Sequence, residues 1–172
     1  MFFGEDESNH GLKKEYHVVC VTDDPKYTKN KNSIPKYRKG EFSRVQHLFP
    51  AWYIEFGEDI RKNVNPENYK IMAIGEFVKF FSPNHEIEKF FVDGGIRDDR
   101  LENILKMLSI ISPKTEFIYG KDLDKKITLV NQADNLANLL FRHYIVKKEK
   151  APFPYAIPLP TPDIKDYEKY FI

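Results

Sequence analysis

Residues 89–120 read Lys-Phe-Phe-Val-Asp-Gly-Gly-Ile-Arg-Asp-Asp-Arg-Leu-Glu-Asn-Ile-Leu-Lys-Met-Leu-Ser-Ile-Ile-Ser-Pro-Lys-Thr-Glu-Phe-Ile-Tyr-Gly. Lys89 to Asp93 is a short apolar strand broken by Gly94 and Gly95. Asp98 to Ile111 carries apolar residues at helical spacing through Leu101, Ile104, Leu105 and Leu108, and Asp98 and Asp99 suit its positive end. Thr115 to Tyr119 is a second strand, stopped by Gly120. A strand, a helix and a strand of these lengths require parallel neighbours joined by a right-handed crossover.

Outward from this unit, Asn65 and Pro66 form a helix start, followed by a stripe through Ile71, Ile74, Val78 and Phe81. Phe2 to Glu7, Tyr16 to Thr22 and Ala51 to Phe56 are three earlier strands with no helix between them, which suits an antiparallel meander. A last helix is predicted from about residue 125 to 146, with Asp124 as its N-cap. The order βββαβαβα predicts an α/β fold, a mixed five-stranded sheet with helices packed on it. Residues 1–150 form this domain. The tail, 151–172, has five prolines between Pro152 and Pro162, so it is expected to run extended and to pack its aromatics on the domain.

Composition bounds the function less sharply. The chain has 172 residues, enough for one cored domain. Its 27 Lys and Arg nearly cancel 26 Asp and Glu, so any attraction for nucleic acid must come from local clustering. A lone Cys20, alternating with apolar neighbours, excludes an internal disulfide and a cysteine-built zinc site. Two Phe followed by acids do not make a signal peptide, and no apolar run approaches a membrane span. A soluble, cytoplasmic protein is expected. The five histidines (10, 17, 47, 85 and 143) show no metal-ligand spacing, and no Walker loop, dinucleotide fingerprint or nucleophile elbow is present.

Three acids stand out. Asp6 lies in a short apolar strand, where an uncompensated charge is costly. Asp93 ends the fourth strand, at the carboxyl edge where open α/β sheets bind ligands. Asp134 falls on the stripe Ile127, Val130, Ala137, Phe141 of the last helix, beside the small Ala133. If that helix packs on the first and fourth strands, the three carboxylates converge. Such a cluster needs counter-ions, and hard oxygen donors favour Mg²⁺ or Mn²⁺. Two such ions can activate a water and stabilise the leaving oxygen of a phosphodiester. Each acid also has a plainer reading. Asp6 is then a turn-capping acid at a strand end, although Glu5 and Glu7 already supply solvent-facing charge there, which favours the metal reading. Asp93 is an Asx turn, and Asp134 a charge at the edge of its stripe paired with Asn138 or Arg142.

The motif Asp6-x-Ser8-x-x-Gly11 is similar to the opening strand of bacterial-type ribonuclease H, and Asn131-x-x-Asp134-x-Leu136-Ala137 resembles that family's closing helix. Asp6-Glu7-Ser8 and Gln132-Ala133-Asp134 also resemble a broad group of microbial ribonuclease H-like proteins. The element order is that of the ribonuclease H-like superfamily. This resemblance implies a fourth acid on the first helix. Glu67 is the best match, one turn before Ile71, whereas Glu76 lies on another face. The family's loop histidine has no counterpart; Lys121-Asp122-Leu123-Asp124 stands before the last helix instead.

Between the second and third strands, Lys26, Lys29, Lys31, Lys36, Arg38, Lys39 and Arg44 face one acid, Glu41, with Tyr27, Tyr37 and Phe42 interleaved. Cations that neutralise phosphates and rings that stack on unpaired bases suit single-stranded DNA or RNA. A solvated loop is the plainer account. The leading expectation is a metal-dependent nuclease with Asp6, Asp93, Asp134 and Glu67 as catalytic acids. The alternatives are an inactive nucleic-acid-binding or assembly module on the same fold, and an α/β domain whose acids bind a small phosphorylated ligand.

Overall fold

In the computed structural model the described residues are 1–8, 14–31, 49–61, 64–65 and 68–171. A mixed sheet of six strands runs through them in the order β5-β4-β1-β2-β3-β6. Strands β1 (Phe2–Ser8), β2 (Glu15–Thr22) and β3 (Ala51–Phe56) form the antiparallel meander. Strands β4 (Lys89–Asp93) and β5 (Glu116–Gly120) extend it in parallel from β1. The expectation of five strands is corrected by β6 (Ile157–Pro158), which the tail lays in parallel along β3. Pro158 cannot donate to a ladder, and an edge is where a strand tolerates that; the N–H of Leu159 donates to the Tyr53 carbonyl instead (2.8 Å).

Alternation along β1 divides the core in two. Phe3 joins Val19, Val21, Ile54 and Phe56 under α2 (Tyr69–Phe81) and α3 (Asp98–Ile111). Phe2 joins Tyr16, Val18 and Cys20 on the other face, under α4 (Thr128–Phe141). The tail contributes to both cores, with Phe153 and Ala156 on the α4 side and Tyr167 and Tyr170 on the other.

The helices depart from the expected boundaries. A four-residue helix, α1 (Glu58–Arg61), precedes α2, which has Asn68 rather than Asn65 at its N-cap position; residues 66 and 67 lie outside the described residues. In α3 the buried face is Arg100, Asn103, Ile104, Met107 and Leu108, whereas Leu105 is 46% exposed. The stretch expected as one last helix is three pieces: a 3₁₀ turn at Leu123–Lys125, α4, and a π-helical turn at Arg142–Val146. Asp124 is therefore not the cap of α4. It is buried in the turn before the helix, where its carbonyl accepts a hydrogen bond from Asn131 Nδ2 (2.9 Å).

Helix α4 packs chiefly across β1 and β2 and meets β4 only marginally. Its closest approach is over Gly4, where a Cβ would lie 2.8 Å from backbone atoms of Leu129 and Val130. The small residue that admits the helix is thus on the strand, in addition to Ala133. No described helix is long and apolar enough to cross a membrane.

Candidate active site

The ladder between β1 and β4 pairs Gly4 with Phe91 and Glu5 with Val92, so Asp6 and Asp93 are the next positions in register. Gly4 and Phe91 lie on the α4 face, and alternation puts Asp6 and Asp93 there as well. Neighbouring strands are about 4.8 Å apart, which makes these acids adjacent at the carboxyl ends of two central strands. From Val130 over Gly4, one turn of α4 advances about 6 Å to Asp134. Two residues of β1 advance about 6.6 Å from Gly4 to Asp6. The helix therefore brings Asp134 to Asp6.

Electrostatics report the same proximity. Asp6 is buried, and its carboxyl is raised from 3.8 to about 9. Burial is the largest cause, followed by the charges of Glu7, Glu5, Asp134 and Asp93. Its Oδ1 accepts the N–H of Glu7 (2.8 Å). Burial also pushes the half-buried Asp93 above the ordinary carboxylate range, opposed by backbone N–H groups of Asp124, Leu123 and Gly94. The bond from the Asp124 N–H measures 3.3 Å. Asp134 is half-buried at the edge of the α4 stripe, with Ala133 deeper, and accepts Asn138 Nδ2 (2.9 Å). The pairing with Asn138 named in the plainer reading is present, and it leaves Asp134 close enough to raise Asp6.

Two carboxyl-bearing residues escaped the sequence reading of this edge. Asp124 is buried, and its charge also raises Asp93. Ser8, on the α4 face beyond Asp6, has a buried hydroxyl with no hydrogen-bond partner among the described residues. Glu7 is the second missed acid, on the opposite face. Glu67 lies outside the described residues. Glu76 accepts a hydrogen bond from the Tyr167 hydroxyl on the α2 side, away from the acids.

The expectation that Glu5 and Glu7 face solvent is overturned. Glu5, Glu15 and His17 are buried, with His17 Nδ1 and Nε2 each 2.7 Å from a carboxylate oxygen, of Glu5 and Glu15 respectively. Burial alone would lower the His17 imidazole, yet hydrogen bonds and charge from the two glutamates raise it to about 10. Glu7 pairs with Lys70 (2.9 Å), whose ammonium burial would lower but surrounding carboxylates raise. Asp6, Asp93 and Asp134 are spaced too widely to form a group of three with ligand atoms all within 4.8 Å of one another; among the described residues that group is Glu5, Glu7 and His17, a potential metal cluster behind β1. Its negative charge is already met by Lys70 and the protonated imidazole. No periodic signal in the sequence marks it, because cross-strand register is what places Glu7 opposite His17.

The described start of the basic segment reaches the site's rim. Lys26, Lys29 and Lys31 are exposed, and Lys26 pairs with Asp24 (2.8 Å) and stacks over Tyr27. The N–H of Lys31 donates to the carbonyl of Lys126 (2.8 Å), in the turn that carries Asp124 and Lys125. Lys36, Arg38, Lys39 and Arg44 lie outside the described residues.

No family model matches the sequence, and no curated protein matches it. Six chains of solved structures do match. One is ribonuclease HII in the PCNA:RNase HII complex from Archaeoglobus fulgidus, at 15% identity and a TM-score of 0.62, covering 86% of this chain and 75% of that one. The backbone of this chain is accordingly a ribonuclease H-like fold.

Proposed function

We propose that the protein is a divalent-metal-dependent nuclease that hydrolyses phosphodiester bonds of nucleic acid. What supports this reading is the register that puts Asp6 and Asp93 at the ends of neighbouring strands, together with the Asp6 carboxyl, pushed to about 9 by burial and by the charges of its neighbours, Asp134 and Asp93 among them. A buried group disfavoured as an anion to that degree has no evident use in packing, and a cation would restore its charge. The donor set fits Mg²⁺ or Mn²⁺: Asp6, Asp93 and Asp134 all offer hard carboxylate oxygens. Such ions would be held by the carboxylates of Asp6, Asp93 and Asp134, hard anionic donors of the kind these cations prefer.

Asp6 and Asp93 would hold the metal from the sheet and Asp134 from the helix, with Glu67 a candidate fourth ligand. Bound there, the metal supplies a nucleophilic water at neutral pH and charge stabilisation for the departing oxygen. The backbone N–H groups of Asp124 and Gly94 orient Asp93. The exposed Lys29 and Lys31, with Lys26 and the basic residues that follow, would neutralise the phosphates of the bound strand.

The test is hydrolysis of labelled single-stranded DNA, RNA and an RNA–DNA hybrid with Mg²⁺ or Mn²⁺, against Asp134→Asn. Cutting that needs the metal and disappears in the variant supports the reading and identifies the strand preferred. Equal cutting by both proteins removes Asp134 from the chemistry. Binding that survives EDTA with no cutting in either protein supports the inactive module instead.

A further inference from the structure

Lys70 stands in the first turn of α2, above the point where β1 and β4 stop pairing. Their ladder ends with Glu5 opposite Val92, one residue short of Asp6 and Asp93. Asp6 and Asp93 are thus not a paired position of that ladder, although each is paired on its outer side, with Val18 of β2 and Gly120 of β5. Lys70 spans the gap from the opposite face. Its Nζ donates to the backbone carbonyl of Asp93 (2.8 Å) and pairs with Oε2 of Glu7 (2.9 Å), the residue after Asp6. The ammonium is largely buried, with 15% of the side chain exposed, so solvent screens this bridge only weakly. Gly94 makes room for it: a Cβ there would lie 3.3 Å from Nζ, at a φ of +98° that favours glycine.

We infer that Lys70 is a positioning residue that sets the separation of Asp6 and Asp93, and through it the affinity of the carboxylates for a divalent cation. The inference rests on the metal-dependent reading above. Lys70 acts through the Glu7 side chain and the Asp93 backbone, which fix the strand ends that carry the two acids. Partners of this kind, one bond removed from the ligands, change metal affinity about 10- to 100-fold when lost.

Charge alone predicts the opposite sign. Removing an ammonium near the acids strengthens cation binding, whereas loss of positioning weakens it. Lys70→Met by itself would leave Glu7 half-buried without its cation and endanger the fold. The informative variant is therefore the pair Lys70→Met with Glu7→Gln, which is charge-neutral, compared with Glu7→Gln alone, which keeps the bond to Asp93. Each protein is melted in EDTA to check its fold and then titrated with Mn²⁺, following both the rise in melting temperature and the cleavage of a labelled strand.

The double variant should need about 10- to 100-fold more Mn²⁺ than the wild type by both readouts, with KM for the strand unchanged. The single variant should fall between them. A purely structural Lys70 would lower the metal-free melting temperature and leave the Mn²⁺ midpoint in place, which overturns the inference. A wild type that neither cuts nor gains stability with Mn²⁺ overturns the metal-dependent reading itself, and this inference with it.

Discussion

Asp6→Asn should stabilise the metal-free protein, although it removes a residue proposed as essential. In the unfolded chain the carboxyl titrates at 3.8, and in the folded chain at about 9. At pH 7 the folded state holds a proton that the unfolded state has released. For a carboxyl raised on folding, stability is therefore lost as pH climbs from the lower value to the higher. At pH 7 the climb spans 3.2 units, about 4 kcal/mol at 1.36 kcal/mol per unit. Asparagine keeps the size and the Oδ1 acceptor for the Glu7 N–H, and has no such dependence on pH. The two proteins should differ by less than about 1 kcal/mol at pH 4 and by about 4 kcal/mol at pH 7, or about 8–16 °C in melting temperature. Urea unfolding in EDTA between pH 4 and 8, followed through the fluorescence of Trp52, measures both the gap and its slope. A variant no more stable than the wild type at pH 7, or a gap that does not widen with pH, would refute the argument that Asp6 is buried among like charges.

Gly4→Ala puts a Cβ 2.8 Å from the α4 backbone, so the helix must move; a loss of about 1–3 kcal/mol is expected, with cutting reduced further because Asp134 moves with it. Thermal melts and the cleavage assay on one preparation check both. His17→Gln removes the cation between Glu5 and Glu15, at a cost of about 3–5 kcal/mol near pH 6. Because the folded imidazole titrates at about 10, above its unfolded 6.5, this stabilisation is complete below pH 6.5 and fades toward pH 10. Unfolding curves at pH 6 and 10 should show the gap between the two proteins narrowing; a constant gap speaks against a protonated His17. Lys29→Ala with Lys31→Ala should weaken strand binding at low salt and flatten its salt dependence by up to about two phosphate contacts, measured by fluorescence anisotropy. An unchanged slope would remove these two lysines from the interface.

The central parallel unit was legible because strand, glycine stop, helix and strand each carry a local signal between Lys89 and Gly120. The meander was legible for the same reason. Boundaries at the last helix were not. Apolar spacing continues through residues 125–146, but a 3₁₀ turn holding the buried Asp124, whose carbonyl takes Asn131 Nδ2, stands before α4. The sixth strand was hidden by prolines, which exclude a central strand and permit an edge.

The candidate site divides along the same line. Asp6, Asp93 and Asp134 were conspicuous from the sequence, each a charge where its element favours an apolar residue or a turn. Periodicity fixes which face of an element a side chain takes, so it assigned acids to strands and helices. It could not say that α4 would settle on Gly4 at the height that brings Asp134 to Asp6. Nor could it show that Glu5, Glu7, Glu15, His17 and Lys70 form a charged layer behind β1, since Glu7 meets His17 only through strand pairing and Lys70 only through the docking of α2. Local sequence determines the elements and their apolar faces, because those depend on backbone preference and spacing along one chain. Register, the docking height of helices and the resulting charge partners depend on distances between segments far apart in sequence, and only the tertiary structure decides those.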